Sequence, residues 1–324
     1  MTSVTMEWES RLGRRLRVRD LYILSTVVKS GGMAKAARQL AMTQPSVSAA
    51  VANLEHMLGV RLLDRSPRGI EPTIYADAML RRSIAVFDEL KQSVKDVESL
   101  ADPATGELRI GCPESISATM LPQFIESFSK RYPRVIVYVQ DVPSPAIKNP
   151  GLRDRRYDLV IARFGLPLQN DQITDGLNLE FLFDDPLMIA AGLHSRWARR
   201  RSIDLPELID EPWTLNHPAA LPYITVAEAF RARGLEMPKV SLFGYSVHLV
   251  NHFVANGPFV TAMPRSAARS CSLKVLPIKL PARPWPVVIA TLKNRTLSPV
   301  VGRFIECARE VAKSIGAWPQ ARKP

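Results

Sequence analysis

The chain has no run of about 18 apolar residues, which excludes an ordinary membrane-spanning helix. Its N-terminal stretch, MTSVTMEWESRLGRRLRVRD, is polar and basic and lacks the apolar core of a secretion signal. Cysteine is scarce. Cys112, Cys271 and Cys307 are odd in number and far apart, which speaks against a disulfide framework and for a reducing, cytoplasmic setting. Catalytic signatures are missing too. There is no glycine-rich phosphate loop, nucleophile elbow or acid pair at motif-like spacing, so neither an enzyme nor a cofactor is expected. What is present is positive charge. A formal net charge of +12 over 324 residues makes a polyanion or an anionic ligand the natural partner, and the length favours about two domains.

Read along the chain, residues 1–17 form a basic extension. Leu21, Leu24, Val27 and Val28 recur at helical spacing from Val18 to Ser30, and Gly31-Gly32 ends that helix. A second helix is expected over 33–40 and a third from Pro45 to Gly59, proline suiting a first helical turn. Two short extended pieces follow around the turn Ser66-Pro67-Arg68-Gly69. A long helix over 73–100 places Leu80, Phe87, Val94 and Ala101 seven apart, with Leu90 and Val97 in the alternate seam. That heptad stripe calls for the same helix of a second subunit, or else for its own domain. Residues 101–107, ADPATGE, read as a linker.

Beyond it the pattern alternates. LRIGC, VIVYVQ, DLVIARF, PLMIAA, PWTL, KVSLF, FVTAM, LKVLPI and PVVIATL read as strands, with helices at 121–131 and 225–235 among those between them. Thr225 and Glu228 read as a capping box, and Ser298-Pro299 starts the last helix. Such alternation argues for parallel sheets covered by helices, and about 200 residues of it for two lobes.

The stretch from 31 to 73 carries the sharpest chemistry. Two short helices with small residues where they cross, Ala36, Ala37 and Leu40, suit a helix-turn-helix with Val47, Val51 and Leu54 in its core. The third helix then presents Gln44, Pro45, Ser46, Ser48, Ala49, Ala50 and Asn53 outward. This short-chained, hydrogen-bonding face can lie in a major groove. Arg65 and Arg68 flank a tight turn and form a wing for phosphates or the minor groove.

The order Ala36-Ala37, Leu40, Gln44-Pro45-Ser46-Val47-Ser48, Leu54-Glu55, Leu58-Gly59, Leu62-Leu63-Asp64-Arg65, Thr73 resembles the LysR-type transcriptional regulators. The resemblance is strong over 18–100 and looser over 107–312. It implies an α/β chain with an N-terminal winged helix-turn-helix (18–73), a dimerising linker helix and hinge (74–106), and a two-lobed α/β effector-binding domain (107–312). That domain resembles periplasmic binding proteins, with lobe I at about 107–182 and 279–312, lobe II at about 183–278, and a tail at 313–324. It also implies a double-stranded DNA operator with an imperfect inverted repeat, and pairing through Leu80, Phe87, Leu90, Val94 and Val97, pairs of dimers commonly making a tetramer. RNA polymerase is a further partner on this reading, and no membrane is involved.

A small effector then binds between the lobes. Ser115 is the leading contact, with Ser117, Ser144, Arg163, Asn216, His217 and Ser246 as further candidates. Arg163 also reads as a surface arginine, Ser115 as a simple helix cap. The basic sensor half favours an organic, aromatic or sugar acid. Gly32 and Ala34 depart from the family's serine and threonine, Ile74-Tyr75-Ala76 from its pattern after Thr73, and Pro150-Gly151 from a continuous helix. His248 and His252, one turn apart, and Cys112, beside the cleft, raise metal and redox responses as alternatives. A stand-alone solute-binding protein is the rival from another class, but it leaves 18–100 without a role.

Overall fold

The computed structural model describes residues 16–66, 69–102, 104–143, 150–164, 175–244, 246–281 and 285–316, and of residues 65, 66, 69, 100, 101 and 316 the backbone only. The chain divides into two compact units, Met1–Lys91 and Gln92–Pro324.

In the first unit, α1 (Val18–Ser30) buries Leu21, Ile23, Leu24 and Val27 and ends on Gly31 at φ +70°, a left-handed conformation that glycine adopts without strain. Helix α2 (Met33–Gln39) starts at Gly32 with no side-chain cap and buries Met33, Ala36 and Ala37. Helix α3 (Gln44–Leu58) starts one residue before Pro45, because the Thr43 side chain accepts the Ser46 N–H. It buries Val47, Ala50, Val51 and Leu54. Small side chains at Ala36, Ala37 and Ala50 let the three helices close on Leu24, Val27 and Leu54 in one core. Strands β1 (Leu63–Ser66) and β2 (Gly69–Pro72) pair antiparallel, as the extended pieces predict, while Pro67 and Arg68 lie outside the described residues. Thr73 then opens α4 (Ile74–Ala101): its Oγ1 accepts the Ala76 N–H and donates to the Arg61 carbonyl.

Glu55 has a structural role that its sequence position hides. Its Oε1 accepts the backbone N–H groups of Leu62 at 2.8 Å and Leu63 at 3.2 Å, fastening the start of the wing to α3. Glu55→Ala leaves both donors without that acceptor, and the expected loss is about 1–3 kcal/mol of local stability. Amide exchange at Leu62 and Leu63 checks this; rates equal to the parent's would remove Glu55 from that role.

In the second unit the elements run β3 (Thr105–Cys112), α5 (Glu114–Ser117), α6 (Leu121–Arg131), β4 (Arg134–Asp141), α7 (Pro150–Arg153), β5 (Leu159–Arg163), β6 (Leu177–Asp184) and β7 (Leu187–Ala191). They continue with β8 (Trp213–Leu215), α8 (Leu221–Arg231), β9 (Val240–Phe243), α9 (Val247–Asn256), β10 (Val260–Pro264), α10 (Arg265–Ser270), β11 (Lys274–Val275), β12 (Pro286–Leu292) and α11 (Pro299–Gly316). One five-stranded sheet has the order β4-β3-β5-β12-β6, the other β11-β7-β10-β8-β9. The first lobe's core joins Leu108, Ile110, Phe124, Phe128 and Phe304; the second centres on Trp213, Val226 and Phe230. The chain crosses between lobes twice, from β6 to β7 and from β11 to β12.

Four expectations are corrected here. The sheets are mixed rather than parallel: β12 runs antiparallel to β5 and β6, and β7 antiparallel to β10 and β11. Strands that return from the other lobe are free of the crossover rule that keeps consecutive βαβ strands parallel. Strand β6 is additional to the strands expected from the sequence, although Leu177, Leu179, Phe181 and Phe183 alternate along it. Helix α8 begins at Leu221 rather than Thr225, with Pro222 in its first turn, so Thr225 is a buried interior residue and not a cap. Of LKVLPI only Lys274 and Val275 form a strand.

Candidate functional site

Two regions of chemistry emerge, one in each unit. In the first, α3 turns Gln44, Pro45, Ser46, Ala49 and Asn53 to solvent, with Ser48 half-buried. The Ser46 hydroxyl lies 2.8 Å from Thr43 Oγ1, which orients it at the helix start. Ala50 is a correction: it faces the core, because it falls one turn from Val47 and Leu54. Arg68 and the Arg65 side chain lie outside the described residues, although the strands flanking that turn are in place. Sequence reading passes over Lys35 and Arg38, which stand exposed on α2.

The stripe on α4 divides. Leu80 packs against the first unit's core, and Phe87 meets Tyr22 edge-on at 5.7 Å. These two therefore serve their own domain in part. Leu90, Val94 and Val97 are exposed, with Val97 66% accessible.

In the second unit, the lobes are tied through Arg163 at the end of β5. Its Nη2 and Nε bond Asp185 Oδ2 at 2.8 and 2.9 Å, its Nη1 donates to Ser115 Oγ at 3.2 Å, and its Nη2 donates to Ser266 Oγ at 3.0 Å. Asp185 also accepts the Ser266 N–H and hydroxyl. The guanidinium lies over the Trp285 ring. Asp185 and Trp285 belong to the two crossing segments, which bond each other through the Asp185 N–H and the Trp285 carbonyl. With side chains only 3% and 2% accessible, Arg163 and Asp185 form a buried pair where the chain crosses between the lobes. The reading of Arg163 as a surface arginine is overturned, and its donors point to these partners.

The other candidates that the structure describes make local contacts. Ser115 faces Arg163, so its hydroxyl is held rather than capping a helix. The Ser117 hydroxyl turns back to the Glu114 carbonyl. Asn216 Nδ2 donates to the Gly244 carbonyl, and His217 Nδ1 accepts the Ala219 N–H. Ser246 caps α9. Ser144 lies outside the described residues. Sequence reading misses Glu114, whose carboxylate takes the Val247 N–H at the start of α9. It also misses Ser270, which donates to the Thr119 carbonyl across the lobes. A groove along β6 and α11, lined by Leu179, Phe181, Ile305 and Arg309, shares no residue with the cleft groups.

Burial raises the pKa of each thiol. Cys112 is buried, and desolvation first, then the Asp141 charge, pushes its pKa to about 12, leaving it a neutral, unreactive thiol near neutral pH. Burial and Glu114 likewise raise Cys271. His248 and His252 are exposed, and among the described residues no cluster of three metal-ligating side chains forms.

Two sequence profiles match the chain: the bacterial regulatory helix-turn-helix of the lysR family over residues 18–76, and the LysR substrate binding domain over 101–313. The chain belongs to the LysR family of transcriptional regulators. It is thus a LysR-type DNA-binding regulator with an effector-binding domain, a family of regulators and not of enzymes. The solute-binding alternative is not favoured, since a DNA-binding profile covers the very region that it left without a role. Among LysR-type relatives, an uncharacterized regulator of Bacillus subtilis (strain 168), YybE, is 27% identical over 92% of this chain and 97% of its own. TdcA of Escherichia coli (strain K12) is 23% identical over 93% and 95%. A full-length OxyR variant from Pseudomonas aeruginosa shares the fold with a TM-score of 0.60 and 23% identity, covering 95% of this chain and 99% of that one. Full-length CbnR complexed with its target DNA has a TM-score of 0.51 and 22% identity, covering 92% and 100%. Among the described residues, no helix of this LysR-type chain is long and apolar enough to cross a membrane.

Proposed function

We propose that this LysR-type regulator reads an operator with an imperfect inverted repeat through Gln44, Pro45, Ser46, Ser48, Ala49 and Asn53. Arg65 and Arg68 act as the wing, with Lys35 and Arg38 adding phosphate contacts. Residues 18–73 serve as the DNA-binding domain, 74–106 as linker and 107–312 as sensor. The observation that carries this reading is the exposed, short-chained start of α3 over a closed helical core. A helix presented in this way enters the major groove, where a glutamine pairs with adenine in two hydrogen bonds. Two chains join through Leu90, Val94 and Val97, two dimers form a tetramer, and the bound assembly acts on RNA polymerase. A small organic, aromatic or sugar acid between the lobes, near Ser115, Asn216, His217 and Ser246, sets the activity. The net positive charge and the α9 start support an acid.

A genome-wide map of bound DNA supplies the operator. Gln44→Ala should then lose about 1–3 kcal/mol of discrimination between that operator and sites mutated at the contacted base. Competition binding measures this, and unchanged selectivity would take base reading away from Gln44.

A further inference from the structure

The ties between the lobes differ in kind. The Arg163–Asp185 pair is sealed from water, whereas the contact of Glu114 with α9 lies at the water's edge, Glu114 half-buried and Ser246 exposed. Val247 N donates to Glu114 Oε1 at 3.0 Å and Oε2 at 2.9 Å, and the Ser246 hydroxyl adds a bond to Oε1 at 3.3 Å. A helix start carries unpaired N–H groups and partial positive charge, and it attracts an anion. Here the anion comes from the chain itself, from the residue that opens α5 in the opposite lobe.

We infer that Glu114 is a tethered internal ligand: it occupies the α9 start in the effector-free protein and latches the lobes together. This rests on the reading of the cleft as the effector site. An acid effector and Glu114 compete for one set of donors, because two carboxylates sharing it repel. The tether gives Glu114 an effective concentration of about millimolar or more. A simple carboxylate at lower concentration therefore fails to enter, while an acid with further contacts in the cleft displaces Glu114 and releases this one tie, leaving the Arg163 network and the Ser270 contact in place. The latch is thus both a selectivity filter and the two-state element that an effector biases.

The test uses the full chain without effector, with acetate as the probe and chloride at equal ionic strength as control. Amide exchange is followed at Val247 in the parent, Glu114→Ala and Glu114→Gln. The parent should exchange slowly and ignore acetate below the effective concentration that the tether imposes, about millimolar. Glu114→Ala should exchange roughly tenfold faster, as expected for a locally opened amide, and acetate but not chloride should restore protection. Glu114→Gln keeps the volume and loses the charge. It should exchange faster than the parent, and it provides the comparison if the alanine variant folds poorly. A Val247 amide as protected in both variants as in the parent overturns the latch, as does a failure of acetate to restore it. Operator footprints separate the two readings. If acetate rescues Glu114→Ala yet its footprint equals the parent's, the latch stands and the coupling of cleft to DNA is rejected.

Discussion

Arg163→Met is expected to destabilise the sensor unit by about 3–5 kcal/mol, the loss typical of breaking a buried ion pair on one side. The substitution keeps most of the side-chain volume, so the effect reports charge rather than a cavity. It strands the Asp185 carboxylate, 2% accessible, with only Ser266 and backbone partners in place of a guanidinium. It also frees Ser115 and Ser266 from the donors that hold them across the lobes. Asp185→Asn in the same chain removes the stranded charge and should recover a large part of the loss, a coupling of the size found between residues in one network, about 0.5–3 kcal/mol. Urea unfolding followed by the fluorescence of Trp197, Trp213 and Trp285 reads the sensor unit. A loss below about 1 kcal/mol, the range of exposed pairs, would show that the pair is not sealed from water. Weakened effector binding with unchanged stability would return Arg163 to the role of a ligand contact.

Val94→Asp is expected to leave each chain folded and to break the assembly. Val94 is 57% accessible, and substitution of an exposed residue usually changes stability by less than about 0.5 kcal/mol. In a seam between two α4 helices the same aspartate loses its water without gaining a partner, which is strongly unfavourable. Sedimentation should show monomers, and operator affinity should fall by about 10²–10⁴-fold because two half-sites are no longer engaged together. Phe87→Ala is the control. Its ring packs on Tyr22, so it should loosen the first unit while assembly survives in part. An unchanged mass and affinity for Val94→Asp would mean that the exposed end of α4 does not mediate pairing.

Most of the helix-turn-helix is legible in the sequence, because the information there is local. Gly31 and Gly59 stop helices where a left-handed residue is needed, and Thr43-Gln44-Pro45 starts one. The small residues of α2 and α3 mark where helices cross. In the sensor, α6 and the start of α11 can be read from the same kind of signal. The α8 start is misleading because Thr225 and Glu228 mimic a capping box. Pro222 and the burial of Thr225 place the true start a turn earlier.

What only the tertiary structure decided are the contacts made across the lobes. Residues 163, 185, 266 and 285 are distant in sequence and meet between the lobes because the chain crosses to the second lobe after β6 and returns in β12. That return also makes the sheets mixed. Glu114 looks like an ordinary acidic residue at a helix start, and its role appears only when α9 of the other lobe brings the Val247 N–H to it. Periodicity and capping report the few residues around a position, so they determine helices, turns and the exposed side of α3. Charge pairing depends on which distant segments share low-dielectric space, and that is set by the topology of the whole sensor.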